Sequence, residues 1–218
     1  MQTLTESVFK LHPPYGVFNT TVVTNLFPGL TPGAKKALIN RAFKAGEIQK
    51  LKPGLYCLAG PYQSNPPHPF VLAGLLHPLS YVSLESALRY HGLIPEAVYQ
   101  TTCATQERSR VFTTPRGRFS FVRIPGKTPP AGVQFVPLDG QAGVMVASPW
   151  RAIADLVYSR REINAKKNGL DFLTGSLRME PEDLAGLDQR ELPGIIRGFR
   201  SRRVKTCLKR LQKELAHA

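Results

Sequence analysis

An α+β fold in two parts is what the patterning of this 218-residue chain predicts. Three observations carry that prediction. Residues 1–60 read as short helices running into a hairpin, residues 99–147 as a succession of short strands, and residues 61–69 place four prolines in nine positions between them. A proline run of that density sustains neither a helix nor a sheet ladder, so the expected division is 1–60, a linker over 61–69, and 70–218. An ordered strap across the surface is the other reading of so short a run.

In chain order, Thr5–Leu11 is expected as a first helix, closed by Pro13 and Pro14. Thr21–Leu26 is expected as a second, ending before Pro28-Gly29. The third has marked ends. Thr31 is a good N-cap, Pro32 suits the first helical position, and Gly46 is placed for a left-handed residue past the last turn. Ala34, Leu38, Ala42 and Ala45 share one side at helical spacing, flanked by Ile39 and Phe43. Lys36, Asn40, Arg41 and Lys44 collect on the other side, and Lys35 falls off that face. Two short strands follow, Ile48–Leu51 and Leu55–Leu58, joined by Lys52-Pro53-Gly54. A helix with a basic face leading into a basic hairpin is the outline of a winged helix-turn-helix, whose second helix lies in the DNA major groove.

After the proline run, Phe70–Leu76 and Leu84–Tyr90 are expected helices, the second capped by Ser83 and stopped by Gly92. Five short strands are expected over Tyr99–Thr105, Val111–Thr114, Phe119–Ile124, Val133–Val136 and Val144–Ala147, with a hairpin at Arg116-Gly117. Ser148-Pro149 opens a helix through Trp150, Ala152, Ile153, Leu156 and Val157, inside which Asp155 reads as a structural anchor. The remainder is helical in pattern, interrupted by Pro181 and Pro193-Gly194, and closes in a basic helix from about Ser201 to Leu215. The larger part is therefore expected to combine a short-stranded sheet with flanking helices.

The chain has 29 Lys+Arg against 15 Asp+Glu, a formal charge of +14 and a pI near 10.1. Such an excess suits a polyanionic partner, and the outline of residues 1–60 favours nucleic acid over the alternatives of a merely basic protein or one that touches anionic membrane. Met1-Gln2-Thr3-Leu4-Thr5-Glu6 lacks the basic start and apolar run of a signal peptide, and no apolar stretch is long enough to span a bilayer. Cys57, Cys103 and Cys207 are odd in number and far apart, which reads as reduced thiols in a cytoplasmic protein.

Lys36, Asn40, Arg41 and Lys44 are the candidates for the groove, with Asn40 able to read an adenine edge. Lys50 and Lys52 on the hairpin are candidates for phosphate contact. Arg108, Arg110, Arg116, Arg118 and Arg123 fall within sixteen residues, interleaved with Phe112, Phe119 and Phe121. A base-stacking sheet is one reading of that segment. The alternation also fits an ordinary half-buried strand, the preferred reading for the phenylalanines, with the arginines left open. In the last helix Arg197, Arg200, Arg202, Arg203, Lys205, Lys209, Arg210 and Lys213 precede a single acid, Glu214. Arg202, Arg203, Lys205 and Lys209 are candidates for an additional nucleic-acid surface, with Val204, Leu208, Leu211 and Leu215 as the dry side.

Catalytic patterns are lacking in the sequence. His12, His68, His77, His91 and His217 are isolated from one another and from cysteine, and no phosphate-binding glycine loop is present. Asp155, Glu162 and Lys166 do not make the closely spaced carboxylate–lysine set of a metal-dependent nuclease. No cofactor, metal or enzymatic activity is expected.

Three motifs in order carry a family resemblance. They are Tyr81-Val82-Ser83-Leu84-Glu85-Ser86-Ala87-Leu88-Arg89-Tyr90-His91-Gly92-Leu93-Ile94-Pro95-Glu96, then Arg108–Phe112 leading to Thr114-Pro115-Arg116-Gly117-Arg118-Phe119, then Val146-Ala147-Ser148-Pro149-Trp150-Arg151-Ala152-Ile153-Ala154-Asp155-Leu156. Together with the N-terminal segment they resemble the AbiEi-like antitoxins of type IV toxin–antitoxin systems, over roughly residues 5–160. Trp150 and Arg151 stand where that family more usually has Glu-Lys. The resemblance implies a winged helix that binds operator inverted repeats in double-stranded DNA and represses its own operon. It also implies a C-terminal domain that counters a cognate nucleotidyltransferase-like toxin, commonly without a stable complex. Two other readings stay open: a plain winged-helix transcription factor with a ligand-sensing or dimerisation domain, and a nucleic-acid-processing enzyme.

Overall fold

A computed structural model describes residues 3–63, 65–95, 99–126, 130–138, 141–163 and 169–215. Met1, Gln2, Ser64, Glu96, Lys166 and His217, read above, lie outside the described residues. The fold is α+β, in two compact units: Met1–Pro69 with Phe112–Gly117, and Phe70–Val111 with Arg118–Ala218.

The first unit runs α1 (Leu4–Lys10), β1 (Val17–Asn19), α2 (Thr20–Leu26), α3 (Pro32–Lys44), β2 (Ile48–Lys52) and β3 (Leu55–Leu58). Local chemistry starts each helix. Thr3 and Glu6 form a reciprocal capping box on α1, Asn19 Oδ1 accepts the Val22 N–H at 3.0 Å, and Thr31 Oγ1 accepts the Ala34 N–H at 3.3 Å. The strands form an antiparallel sheet in the order β1-β3-β2, in which Phe18 faces Tyr56 and Ile48 faces Leu58. Leu4, Val8, Phe18, Val23, Ile39, Ala42, Ile48 and Leu58 close over one another as the core of this unit. The three-residue β1 is absent from the sequence reading. A segment that short has no periodicity of its own and is fixed by its pairing with β3.

Part of the expected linker is ordered on this unit. Gly60–Tyr62 forms a 3₁₀ turn, the Tyr62 ring sits edge-on to Phe9 at 5.8 Å, and Gln63 Nε2 lies 3.2 Å from Cys57 Sγ. Apolar cover thus fixes the start of the proline run as a strap.

From Pro69 onward the chain runs α4 (Pro69–Leu76), β4 (Ser80–Val82), α5 (Leu84–Tyr90), β5 (Gln100–Thr105), β6 (Arg110–Thr114), β7 (Gly117–Arg123), β8 (Val133–Leu138), β9 (Gln141–Ala147) and α6 (Pro149–Ser159), all in the second unit except Pro69 and the Phe112–Gly117 tip of the β6–β7 hairpin. These strands form a mixed sheet in the order β6-β7-β5-β4-β9-β8, with β4 parallel to β9 and β5 parallel to β7. β5 is central, and Thr101 to Thr105 are buried throughout. Phe119 and Phe121 of β7 are also buried, as an ordinary core strand requires. α6 packs with α5 and buries Trp150, Ile153, Leu156 and Val157.

A short turn α7 (Gly169–Asp171) is followed by a π-helical turn at Phe172–Ser176, then α8 (Pro181–Ala185), α9 (Leu192–Gly198) and α10 (Arg202–Leu215). α10 buries Val204, Leu208, Leu211 and Leu215, the expected dry side, together with Cys207. All three cysteines are buried and unpaired with one another. Among the described residues no helix is long and apolar enough to cross a membrane.

Candidate nucleic-acid interface

α3 is held rigidly at both ends. Past its last turn Gly46 takes φ +72°, and the Gly46 N–H donates to Phe43 O at 3.1 Å while the Glu47 N–H donates to Ala42 O at 3.0 Å. That pair of bonds is a Schellman closure, which needs a residue at ease in the left-handed region. The Thr5 hydroxyl donates to the Glu47 carboxylate, tying α1 to the end of α3.

The inner arc of α3 passes through Leu38, Ile39 and Ala42, with Ile39 and Ala42 fully covered. One expected inner position, Ala45, and one flanking position, Phe43, differ. Phe43 is 52 % exposed and Ala45 is exposed, because the covered arc is narrower than the sequence pattern suggested and Phe43 falls at its border. Lys36, Asn40, Arg41 and Lys44 all point to solvent. In α3 the structure therefore brings the four groove candidates onto one open face.

The hairpin candidates divide. Lys50 is exposed, opposite Tyr56 in register, whereas Lys52 is half-buried beyond a bulge in β2. The loop between β2 and β3 turns through Gly54 at φ +79°, and its carbonyl accepts the Thr20 N–H at 3.1 Å. That bond ties the hairpin tip to the start of α2. On the other face of this sheet, Arg116 Nε donates to Gln49 Oε1 at 3.0 Å. Burial pushes the Cys57 thiol up, with the nearby Arg116 charge opposing. Arg116, one of the five arginines left open in the sequence, lies in the Phe112–Gly117 segment of the first unit and is thus engaged with that unit's own sheet. Arg108, Arg110, Arg118 and Arg123 are exposed.

On α10, Arg202 and Lys209 are exposed and Lys205 is half-buried, while Arg203 is a correction. Its Nη1 donates to Arg160 O and Ile163 O, both at 3.1 Å, and its Nη2 donates to Val157 O and to Tyr158 O at 3.1 Å. Val157 and Tyr158 are in the last turn of α6, where carbonyls have no intrahelical donor. Arg203 therefore caps α6 from a distance and does not share the surface of Arg202 and Lys209. No local pattern announces such a role, since the acceptors are at least 40 positions away.

The first and third of the motifs that carried the family resemblance meet in one buried cluster. Tyr81 Oη and Ser83 Oγ each donate to Asp155 Oδ2 at 2.8 Å, and Arg151 Nη2 lies 2.9 Å from Asp155 Oδ1. The Arg151 guanidinium also donates to Tyr81 Oη and sits between the rings of Tyr81 and Phe199, 5.3 and 4.9 Å from their centroids. Complete burial pushes the Asp155 carboxyl up, opposed by the Arg151 charge and the two hydroxyl donors. Burial and the Asp155 charge likewise push the Tyr81 phenol up. Sealed from solvent, the cluster locks β4 to α6, the anchoring role the sequence suggests for Asp155.

Ser83 spends its hydroxyl in this cluster instead of capping α5. Thr102 of β5 supplies the cap, accepting the Ser86 N–H at 3.0 Å and donating to Ser83 O at 2.8 Å. Among the described residues no three His, Cys, Asp or Glu side chains form a group that could hold a metal ion. No protein-family model and no curated protein sequence matches this chain.

Proposed function

We propose that the chain is a DNA-binding autorepressor of its own operon and the antitoxin of a type IV toxin–antitoxin pair. The first unit supplies the DNA-binding half. The observation that carries this half is the open face of Lys36, Asn40, Arg41 and Lys44 on a helix locked from behind by Ile39 and Ala42. The order α1-β1-α2-α3-β2-β3, with β1 paired to β3, supports a winged helix-turn-helix reading. In that reading α3 enters the major groove, Asn40 and Arg41 meet base edges, and Lys36, Lys44, Lys50 and Lys52 meet phosphates. Arg202, Lys205 and Lys209 of α10 form an auxiliary phosphate-contacting row, which Lys213 continues by helical spacing.

The antitoxin half rests on the resemblance of the motifs in residues 81–156. Its partner is a nucleotidyltransferase-like toxin, countered without a stable complex. Two assays test the proposal. Duplex DNA from upstream of the chain's own reading frame should bind at least a hundredfold more tightly than a shuffled duplex at matched salt. Co-expression with the neighbouring nucleotidyltransferase-like product should relieve its growth inhibition. Equal affinity for the two duplexes removes the repressor half, and unrelieved inhibition removes the antitoxin half.

A further inference from the structure

The first unit contains a concavity of about 490 Å³ that the DNA-binding reading does not use. Its lining is drawn from Ser7, Lys10 and Leu11 at the end of α1, Phe27 and Leu30 in the turn after α2, and Leu38 of α3. The size falls within the roughly 300–1,000 Å³ of small-molecule sites. A handful of side chains make this lining, against about 20–30 residues a side in a stable protein interface, so the fit is to a small molecule rather than a macromolecule.

The lining selects the ligand's chemistry. Leucine and phenylalanine dominate it, and Leu11 and Leu30 remain 53 % and 37 % exposed, apolar surface that water covers poorly. One cation, Lys10, stands among them. It has no ion pair among the described residues. The two acids of the described first unit are used elsewhere, Glu6 accepting the Thr3 N–H and Glu47 accepting from Thr5. That unit holds eight Lys and Arg against those two acids, so its field also favours an anion.

We infer that this concavity is a binding site for a medium-chain aliphatic carboxylate, its tail among Leu11, Phe27, Leu30 and Leu38 and its head on Lys10 Nζ. The site stands apart from the DNA reading, and its occupant touches the side of α3 opposite Asn40.

Decanoate, octanoate and decylammonium are the probes, titrated calorimetrically into the full chain without DNA and below their aggregation concentrations. Omitting DNA means that failure of the operator reading leaves the result unaffected. Decanoate should bind saturably with one equivalent, and about fourfold more tightly for each methylene added from octanoate. Decylammonium should not bind, and Lys10→Glu should weaken decanoate at least tenfold. The double variant Leu11→Gln/Leu30→Gln, at two exposed positions, should keep the fold by circular dichroism and lose binding. Non-saturable uptake of decanoate, or equal affinity in the wild type and the double variant, overturns the inference.

Discussion

Arg203 and Lys209 lie six positions apart on one helix, carry the same charge, and are expected to respond to the same substitution in opposite ways. Arg203→Gln removes a guanidinium that donates to four main-chain carbonyls around the end of α6. A single hydrogen bond to a charged group contributes about 1.5–3 kcal/mol net, and a glutamine amide can replace one of these bonds. Because the four share one half-exposed side chain, the expected loss is about 2–4 kcal/mol rather than their sum. At about 2–4 °C per kcal/mol for a domain of this size, the melting transition of the second unit should fall by about 5–15 °C. Lys209→Gln alters an exposed side chain and should shift stability by less than about 0.5 kcal/mol. Salt titrations of operator binding should show the reverse dependence. Lys209→Gln should reduce the slope of log K against log salt by about 0.9, and Arg203→Gln should leave it unchanged below its melting temperature. Indistinguishable melting curves for the two variants would refute the capping role, and equal slopes would return Arg203 to the binding surface.

Asp155→Asn keeps shape and one acceptor but leaves the buried Arg151 guanidinium without its counter-charge, for an expected loss of about 3–5 kcal/mol in urea unfolding. The double change Arg151→Met/Asp155→Leu should recover most of that loss. Gly132 sits at φ +76°, and a Cβ there would lie 2.9 Å from both Arg151 Cβ and Ile195 Cδ1. Gly132→Ala should therefore destabilise the second unit by about 2–4 kcal/mol, read by thermal melting with α3 and the first unit unaffected.

The parts of the fold that were legible in sequence are those whose determinants are local. Thr31 and Gly46 fix the ends of α3 through bonds to residues at most a few positions away, which the structure shows, and Pro32 contributes its fixed φ at the first helical position. The leucines of α10 likewise announce their buried stripe by spacing alone. What escaped sequence reasoning depends on partners distant in the chain. β1 and β4 are three residues each and exist through pairing with β3, β5 and β9. Ser83 has the chemistry of an N-cap, but a buried carboxylate 72 positions later takes its hydroxyl, and Thr102 assumes the cap. Arg203 has the composition of a surface cation and the geometry of a helix terminator. At the candidate interface the polar face of α3 was readable because exposure follows helical period, whereas the partial burial of Lys52 follows from a bulge that no residue pattern marks.

Base reading by α3 is the claim on which the repressor function turns, and one titration tests it most directly. Asn40→Ala and Arg41→Ala are compared with wild type on the upstream duplex and on a shuffled duplex, by fluorescence anisotropy at one fixed salt concentration. Both positions are exposed, so the variants should melt with the wild type. Each should weaken the upstream duplex by about 1–3 kcal/mol more than the shuffled one, collapsing the preference between them. Losses of equal size on the two duplexes would mean that α3 meets only phosphate, and the groove-reading account of this face would be wrong.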